Sequence, residues 1–203
     1  MNQEEPQKGS DLAPAVKRAV VACFLPHGKA DPSFNGGVGR KLAAGFGKTT
    51  GAGLAISTNV FVAGLAEPDK IFTWALHDYD GKNDQLYGLG GVATVGLLPP
   101  LHKDPQVSGA HADSLGRVTV SGYARDAKGV YHGILARQDP KGFYDDTFGE
   151  AGLIAGPGQQ CGFGLAVTAD KSVTVLNPIG TAPAGTFTCS VTATMSGRPA
   201  LCR

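Results

Sequence analysis

One short phrase recurs along this chain: glycine, aspartate three residues later, an aromatic three beyond that, then glycine or asparagine. Its copies are Gly28-Asp31-Phe34-Asn35, Gly81-Asp84-Tyr87-Gly88 and Gly142-Asp145-Phe148-Gly149. The leading glycines stand 53 and then 61 residues apart. A fixed phrase at a near-constant period predicts a repeat architecture, in which each unit buries its apolar surface against its neighbours.

The flanks recur as well. Ala22, Ala75 and Ala136 each lie six residues before their glycine, within the apolar runs 19–25, 71–77 and 130–137. These runs are short, rich in β-branched and aromatic residues and bounded by turn formers, so they read as strands. Alternating hairpins follow at 54–64, 110–122 and 165–177, with Val62, Val120 and Val175 in corresponding places. A further apolar run, 186–197, ends at Gly197. The expected strands are about 19–25; 37–43, 52–57, 60–64 and 71–77; 91–96, 108–113, 117–123 and 130–138; 151–155, 162–168, 172–177 and 186–195. The expected fold is all-β: three antiparallel four-strand units in a propeller-like arrangement, with the β-trefoil as the alternative. Residues 1–15 read as a flexible lead-in. One repeat domain fills 16–203, with units at about 35–87, 88–148 and 149–203 and a lone strand at 17–25.

Charge excludes some partners. The 203-residue chain has 18 basic and 17 acidic side chains, well interleaved, for a net charge of +1. Neither nucleic acid nor an anionic membrane surface is indicated. No apolar run reaches the ~18 residues of a membrane span. The polar, acidic start lacks a secretory signal, so the expectation is a soluble cytoplasmic protein, with export without a cleaved signal as the alternative. Cys23, Cys161, Cys189 and Cys202 form no Cys-x-x-Cys pair and are read as buried reduced thiols, against a Cys189–Cys202 bridge.

Asp31, Asp84 and Asp145 recur in every phrase, as turn-capping residues do and a catalytic group need not. Phe34, Tyr87 and Phe148 are the matching core plugs. Around the middle phrase Asp78, Asp80 and Asp84 bracket a glycine turn, which makes calcium a candidate ligand, although the bidentate Glu of a helix-loop-helix calcium site is missing. The Gly-x-Gly pairs at 51–53 and 162–164 precede strand-like sequence, so they suit close strand packing and not a dinucleotide loop. The binding candidates are His102 and Lys103, on the proline-rich insertion 97–106, and His111 with His132, which share a unit and could converge.

With these features assembled, the stretch VTVSGYARDAKGVYHGILARQDPKGFYDDTFGEAGLI (118–154) resembles the bacterial delta-60 repeat, as does VACFLPHGKADPSFNGGVG (21–39). The resemblance spans about 17–197. It implies a β-propeller-like fold of the kind found in large bacterial surface proteins, and it implies no common reaction and no catalytic residues. The chain departs from it in having about three units, fewer than a conventional ring. The functional expectation is a non-catalytic binding or interaction module for a carbohydrate or a protein; the alternative is a hydrolase-type enzyme with its site at a blade junction. Three units leave two open faces, so self-association as a dimer of six units is expected. The capping role of Asp84 gives a first test. Asp84→Ala should cost about 0.5–2 kcal/mol in thermal melts, equally with and without a calcium chelator. Reproduction of the whole loss by the chelator alone would instead assign Asp84 to a calcium site.

Overall fold

The computed structural model describes residues 17–42, 49–66, 70–97, 101, 103–158, 164–167, 173–176, 178–179, 188–189 and 192–193. The strands are β1 (Val20–Val21), β2 (Arg40–Lys41), β3 (Thr49–Ile56), β4 (Asn59–Ala66), β5 (Lys70–His77), β6 (Val92–Val95), β7 (Lys103–Ala112), β8 (Val118–Arg125), β9 (Tyr131–Gln138), β10 (Leu153–Gly158), β11 (Gly164–Val167), β12 (Val173–Leu176), β13 (Pro178–Ile179), β14 (Thr188–Cys189) and β15 (Thr192–Ala193). All pairings between them are antiparallel. Among the described residues the one helical element is a 3-10 turn, Asn35–Gly37, and no helix is long and apolar enough to cross a membrane.

Two four-stranded meanders dominate, ordered β3-β4-β5-β6 and β7-β8-β9-β10. Strand lengths follow the alternating patterns, with extensions. β7 begins at Lys103, so the second half of the expected 97–106 insertion is strand and not loop. The expected strand at 37–43 forms a ladder only at Arg40–Lys41, because Gly36 and Gly37 hold positive φ in the preceding turn. The two sheets match in detail. Each first strand is bulged at the same place, between Gly51 and Gly53 and between Val107 and Gly109. There the strands touch: a Cβ on Gly53 would sit 2.8 Å from the Ala110 nitrogen. That accounts for Gly53 of the first Gly-x-Gly pair by close backbone approach; Gly162 of the second lies outside the described residues.

The three phrases fold alike. The aspartate amide bonds back to the preceding strand, at the Cys23, Ala75 and Arg137 carbonyls, each at 3.0 Å. The aspartate Oδ1 then accepts the amide two residues on, from Ser33 (2.9 Å), Leu86 (3.0 Å) and Thr147 (3.0 Å). This is the cap expected from the spacing. Consecutive phrases also interlock. The Asn35 amide donates to the Asp80 carbonyl and the Gly88 amide to the Lys141 carbonyl. Gly81 lies against Phe34, where a Cβ would approach the ring to 3.0 Å, and Gly142 lies 3.3 Å by the same measure from Tyr87 Cε1.

Two assignments shift. The second and third phrases each lie within a four-stranded sheet, between its third and fourth strands, so the expected unit limits at 35–87, 88–148 and 149–203 give way to sheets over 49–95 and 103–158. The expected lone strand at 17–25 is not lone: β1 pairs with β2 across the first phrase, as β5 pairs with β6 and β9 with β10. The alanine alignment also slips by one residue. The middle turn carries an extra residue, the Gly81 amide reaching the His77 carbonyl four back where Gly142 reaches Asp139 three back. Register makes Trp74, paired with Val62, the counterpart of Ala136, paired with Val120.

Sheet faces follow from this register. Val118, Val120, Ile134 and Ala136 meet Phe61, Ala63, Ile71 and Ala75 in one core between the meanders. On the far face of the first meander Val62, Phe72, Trp74 and Leu76 form a second core with Ala19, Val21, Phe34 and Leu42. β11 packs on β7 and β8, at the opposite end of the stack from β1. The two junctions differ in chemistry at three equivalent places. Val21, Phe34 and Leu76 are apolar; their counterparts Thr73, Tyr87 and Gln138 form a closed polar set. Thr73 Oγ1 lies 2.9 Å from the Tyr87 hydroxyl and donates to Gln138 Oε1 at 2.5 Å, while the Tyr87 hydroxyl reaches the same oxygen at 2.9 Å. The Gln138 amide donates to the Gly142 carbonyl at 3.2 Å. All three side chains are fully buried.

A buried polar group stripped of its partner costs about 1–3 kcal/mol, whereas exchanging all partners for apolar groups of like shape is near neutral. Gln138→Leu alone should therefore lower stability by about that amount in urea melts. The triple variant Thr73→Val, Tyr87→Phe, Gln138→Leu, copying the first junction, should recover most of the loss. A triple variant weaker than the single would contradict the equivalence.

Candidate functional site

At the third phrase the second meander carries a charged network. Arg137 Nε lies 2.7 Å from Asp145 Oδ2, with the side chains only 5% and 7% exposed. Arg117 contacts the same carboxylate at 3.8 Å and Asp113 at 2.6 Å, and the Arg137 guanidinium covers the Phe148 ring at 4.4 Å. Burial pushes the Asp145 carboxyl up, but the Thr147 hydroxyl and amide and the Arg137 charge outweigh it, and the pKa falls below its ordinary 3.8. Burial lowers the Arg137 pKa against the opposing pull of Asp145. Both ions are consumed by each other, so this network holds the phrase to its sheet and offers little to a substrate.

The other end of the same sheet is different. Lys103, Arg125 and Tyr131 stand directly opposite one another across β7, β8 and β9. Their neighbour Ala124 is fully buried in the core between the meanders, so by strand alternation the trio occupies the other face. Arg125 is 39% exposed and contacts Asp104 at 3.4 Å. Its guanidinium lies over the Tyr131 ring at 4.3 Å and donates to the Tyr131 hydroxyl. Tyr123 meets Tyr131 edge-on at 5.4 Å. Arg125 Nε is buried and has no hydrogen-bond partner among the described residues. Asp104 holds a positive φ of 47°, uncommon for a non-glycine residue. The result is a rim where two cations, two aromatic rings and one exposed carboxylate converge.

The sequence candidates divide around this rim. Lys103 belongs to it. His102 lies outside the described residues. His132 stands at the same end but on the core side, between the Gly156 carbonyl (3.1 Å) and Asp126 (3.3 Å). The Asp126 carboxylate accepts the Val130 amide as well and lies below the usual carboxylate pKa. His111 does not converge with His132. It pairs with Thr119 and His132 with Ala124, five residues apart on β8, roughly 16 Å along the strand. Burial lowers the His111 pKa. Arg125 and Tyr131 were missed because the order Lys-x21-Arg-x5-Tyr has no local signature; register alone unites them. A faint signal was the longer β8–β9 connection, 126–130, beside the 67–69 link of the first meander.

Two of the three calcium candidates are engaged by neighbouring groups. Asp80 accepts the Lys82 amide (2.9 Å) and pairs with Lys82 Nζ (3.1 Å). Asp84 accepts from Leu86 and, at 2.7 Å, from the Asn59 side chain, while Asp78 is exposed. Among the described residues no three His, Cys, Asp or Glu side chains converge as metal ligands would. Cys23, expected to be buried, is an exposed free thiol. Cys161 and Cys202 fall outside the described residues, so the Cys189–Cys202 bridge does as well. No family model, curated protein or solved structure matches the chain.

The Asp145 pair predicts a pH dependence. A depressed carboxylate pKa contributes stability above the unfolded value, and that stability is lost as pH falls through the folded one. Asp145→Asn should cost about 3–5 kcal/mol at neutral pH by leaving Arg137 buried without its counter-ion. The gap from wild type should narrow below about pH 4 in urea melts. A gap constant down to pH 2 would disconnect the loss from the ion pair.

Proposed function

We propose that this chain is a non-catalytic binding module, propeller-like in architecture, that presents the Lys103–Arg125–Tyr131 rim to an acidic saccharide. The stacked meanders and the interlocked phrases support the propeller-like reading over a β-trefoil, in keeping with the resemblance to delta-60 repeats. The single observation that carries the function is Arg125: a guanidinium 39% exposed and seated over the Tyr131 ring, whose Nε has no hydrogen-bond partner among the described residues. A sugar carboxylate or sulfate pairs with the exposed edge of this guanidinium, competing with Asp104, and Lys103 adds a second charge. Asp104, 60% exposed, accepts from hydroxyls. The carboxylates best placed for acid–base work, Asp113 and Asp145, are taken up by Arg117 and Arg137, which favours binding over hydrolysis.

An array of neutral, uronic, sialylated and sulfated glycans tests this. Acidic glycans should be retained and neutral ones not. Arg125→Ala should abolish retention, while Phe143→Ala, at an exposed site on the third phrase, should leave it intact. Retention blind to acidity, release of cleaved sugar, or no retention at all would overturn the reading.

A further inference from the structure

Asp104 reaches the rim because β7 carries one residue too many. Lys103 pairs with Arg125 and Gln106 with Tyr123, so Asp104 and Pro105 both stand opposite the single Ala124. In the first meander, where Val62 corresponds to Val120, the counterpart of Ala124 is Ala66. There Thr49 pairs with Ala66 and Thr50 with Leu65, with no residue inserted. Ala124 is fully buried in the core, and a regular strand would send the residue opposite it to the same face. The bulge divides the two candidates. Pro105 is buried, whereas Asp104 is turned out to the rim, its side chain 60% exposed. Re-aiming one side chain is a recurrent use of such bulges.

The outward turn strains the backbone. Asp104 holds φ at 47°, although a non-glycine residue favours negative φ and a residue before proline favours extended backbone. Such conformations persist where the surrounding structure over-determines them. Here buried Pro105 fixes the residue after Asp104, and Gly122 lies so close to the Gln106 carbonyl that a Cβ would overlap it. The strain is spent on one contact: the Asp104 carboxylate lies 3.4 Å from Arg125 Nη1. Arg125 therefore carries an internal anion on a guanidinium that already covers Tyr131. An incoming simple anion exchanges one exposed ion pair for another and gains little. A sugar brings hydroxyls as well, and the displaced carboxylate, a charged acceptor, stands beside the bound anion to receive them.

We propose that Asp104 is the specificity-determining residue of the rim: a built-in anion that excludes simple anions from Arg125 and yields to an acidic saccharide, whose hydroxyls it then binds. The inference rests on the rim as the binding surface and adds what that surface refuses.

Methyl sulfate and glucose sulfate test it, since they carry the same anionic group without and with sugar hydroxyls. Each is titrated against the full chain, with the Arg125 Nε–H resonance as the readout. The wild type should bind glucose sulfate more tightly than methyl sulfate. Asp104→Asn keeps the shape of the side chain and tolerates positive φ. It should tighten methyl sulfate binding about two- to fivefold, the scale of one exposed ion pair, and should not tighten glucose sulfate binding, so that the preference narrows. Asp104→Gly, which also relieves the backbone, should tighten methyl sulfate binding to the same degree. Methyl sulfate binding unchanged by both substitutions, equal gains for the two esters, or an Arg125 resonance that responds to neither ester would each overturn the proposal. Acidic glycans retained by a wild type whose methyl sulfate affinity Asp104→Asn does not alter would overturn the role of Asp104 and leave the rim standing. A methyl sulfate gain in a protein that retains no acidic glycan would overturn the saccharide reading and leave Asp104 as the anion that guards Arg125.

Discussion

The contact on which the stack depends is a glycine resting on an aromatic ring. Gly81 and Gly142 have positive φ, 66° and 84°, and each faces the ring of the phrase before it. Two independent constraints therefore select the same residue: any Cβ strains the backbone and also meets the ring. Because the amide after each aromatic bonds to the carbonyl before the next glycine, consecutive phrases cannot slide without losing both. The strands on either side of a phrase pair with each other, β1 with β2, β5 with β6 and β9 with β10, so fixing the phrases fixes the spacing of the sheets. Core packing between β4–β5 and β8–β9 then follows from strand alternation.

Within that frame chemistry varies while geometry does not. The Val21–Phe34–Leu76 junction and the Thr73–Tyr87–Gln138 junction occupy equivalent places, one by apolar contact and the other by hydrogen bonds that close on themselves. A buried polar set that is fully paired tolerates few alternative registers, since each slip leaves donors unmatched. The third phrase uses yet another device, an Arg137–Asp145 pair roofing Phe148. The end of the second meander away from its phrase is free of these duties. There Lys103, Arg125 and Tyr131 can meet solvent without disturbing the stack.

The phrase, its turn-capping aspartates, its buried aromatics and most strand positions were legible in the sequence. Each is a local pattern whose physics acts over a few residues. Asp31, Asp84 and Asp145 cap the turns their spacing implies, and Phe34, Tyr87 and Phe148 are buried as expected. The site was scarcely legible. Lys103 stood among the candidates, but Arg125 and Tyr131 become its neighbours only through pairing across three strands, and the same register separates His111 from His132.

The sequence by itself determined the all-β character, the turns and the recurrence, because side-chain alternation, positive-φ glycines and Asp caps are encoded within short windows. Tertiary structure decided which strands share a sheet. β1 could have stood alone by its sequence; it pairs with β2 because the chain turns back through Asp31 and Phe34. It also decided that one extra residue before Gly81 makes Trp74, and not Ala75, the partner in register with Ala136. A strand's edge carries only backbone donors and acceptors, identical in every residue, so nothing local names its neighbour. The neighbour is chosen by which faces can be buried together, a property of the assembled sheets.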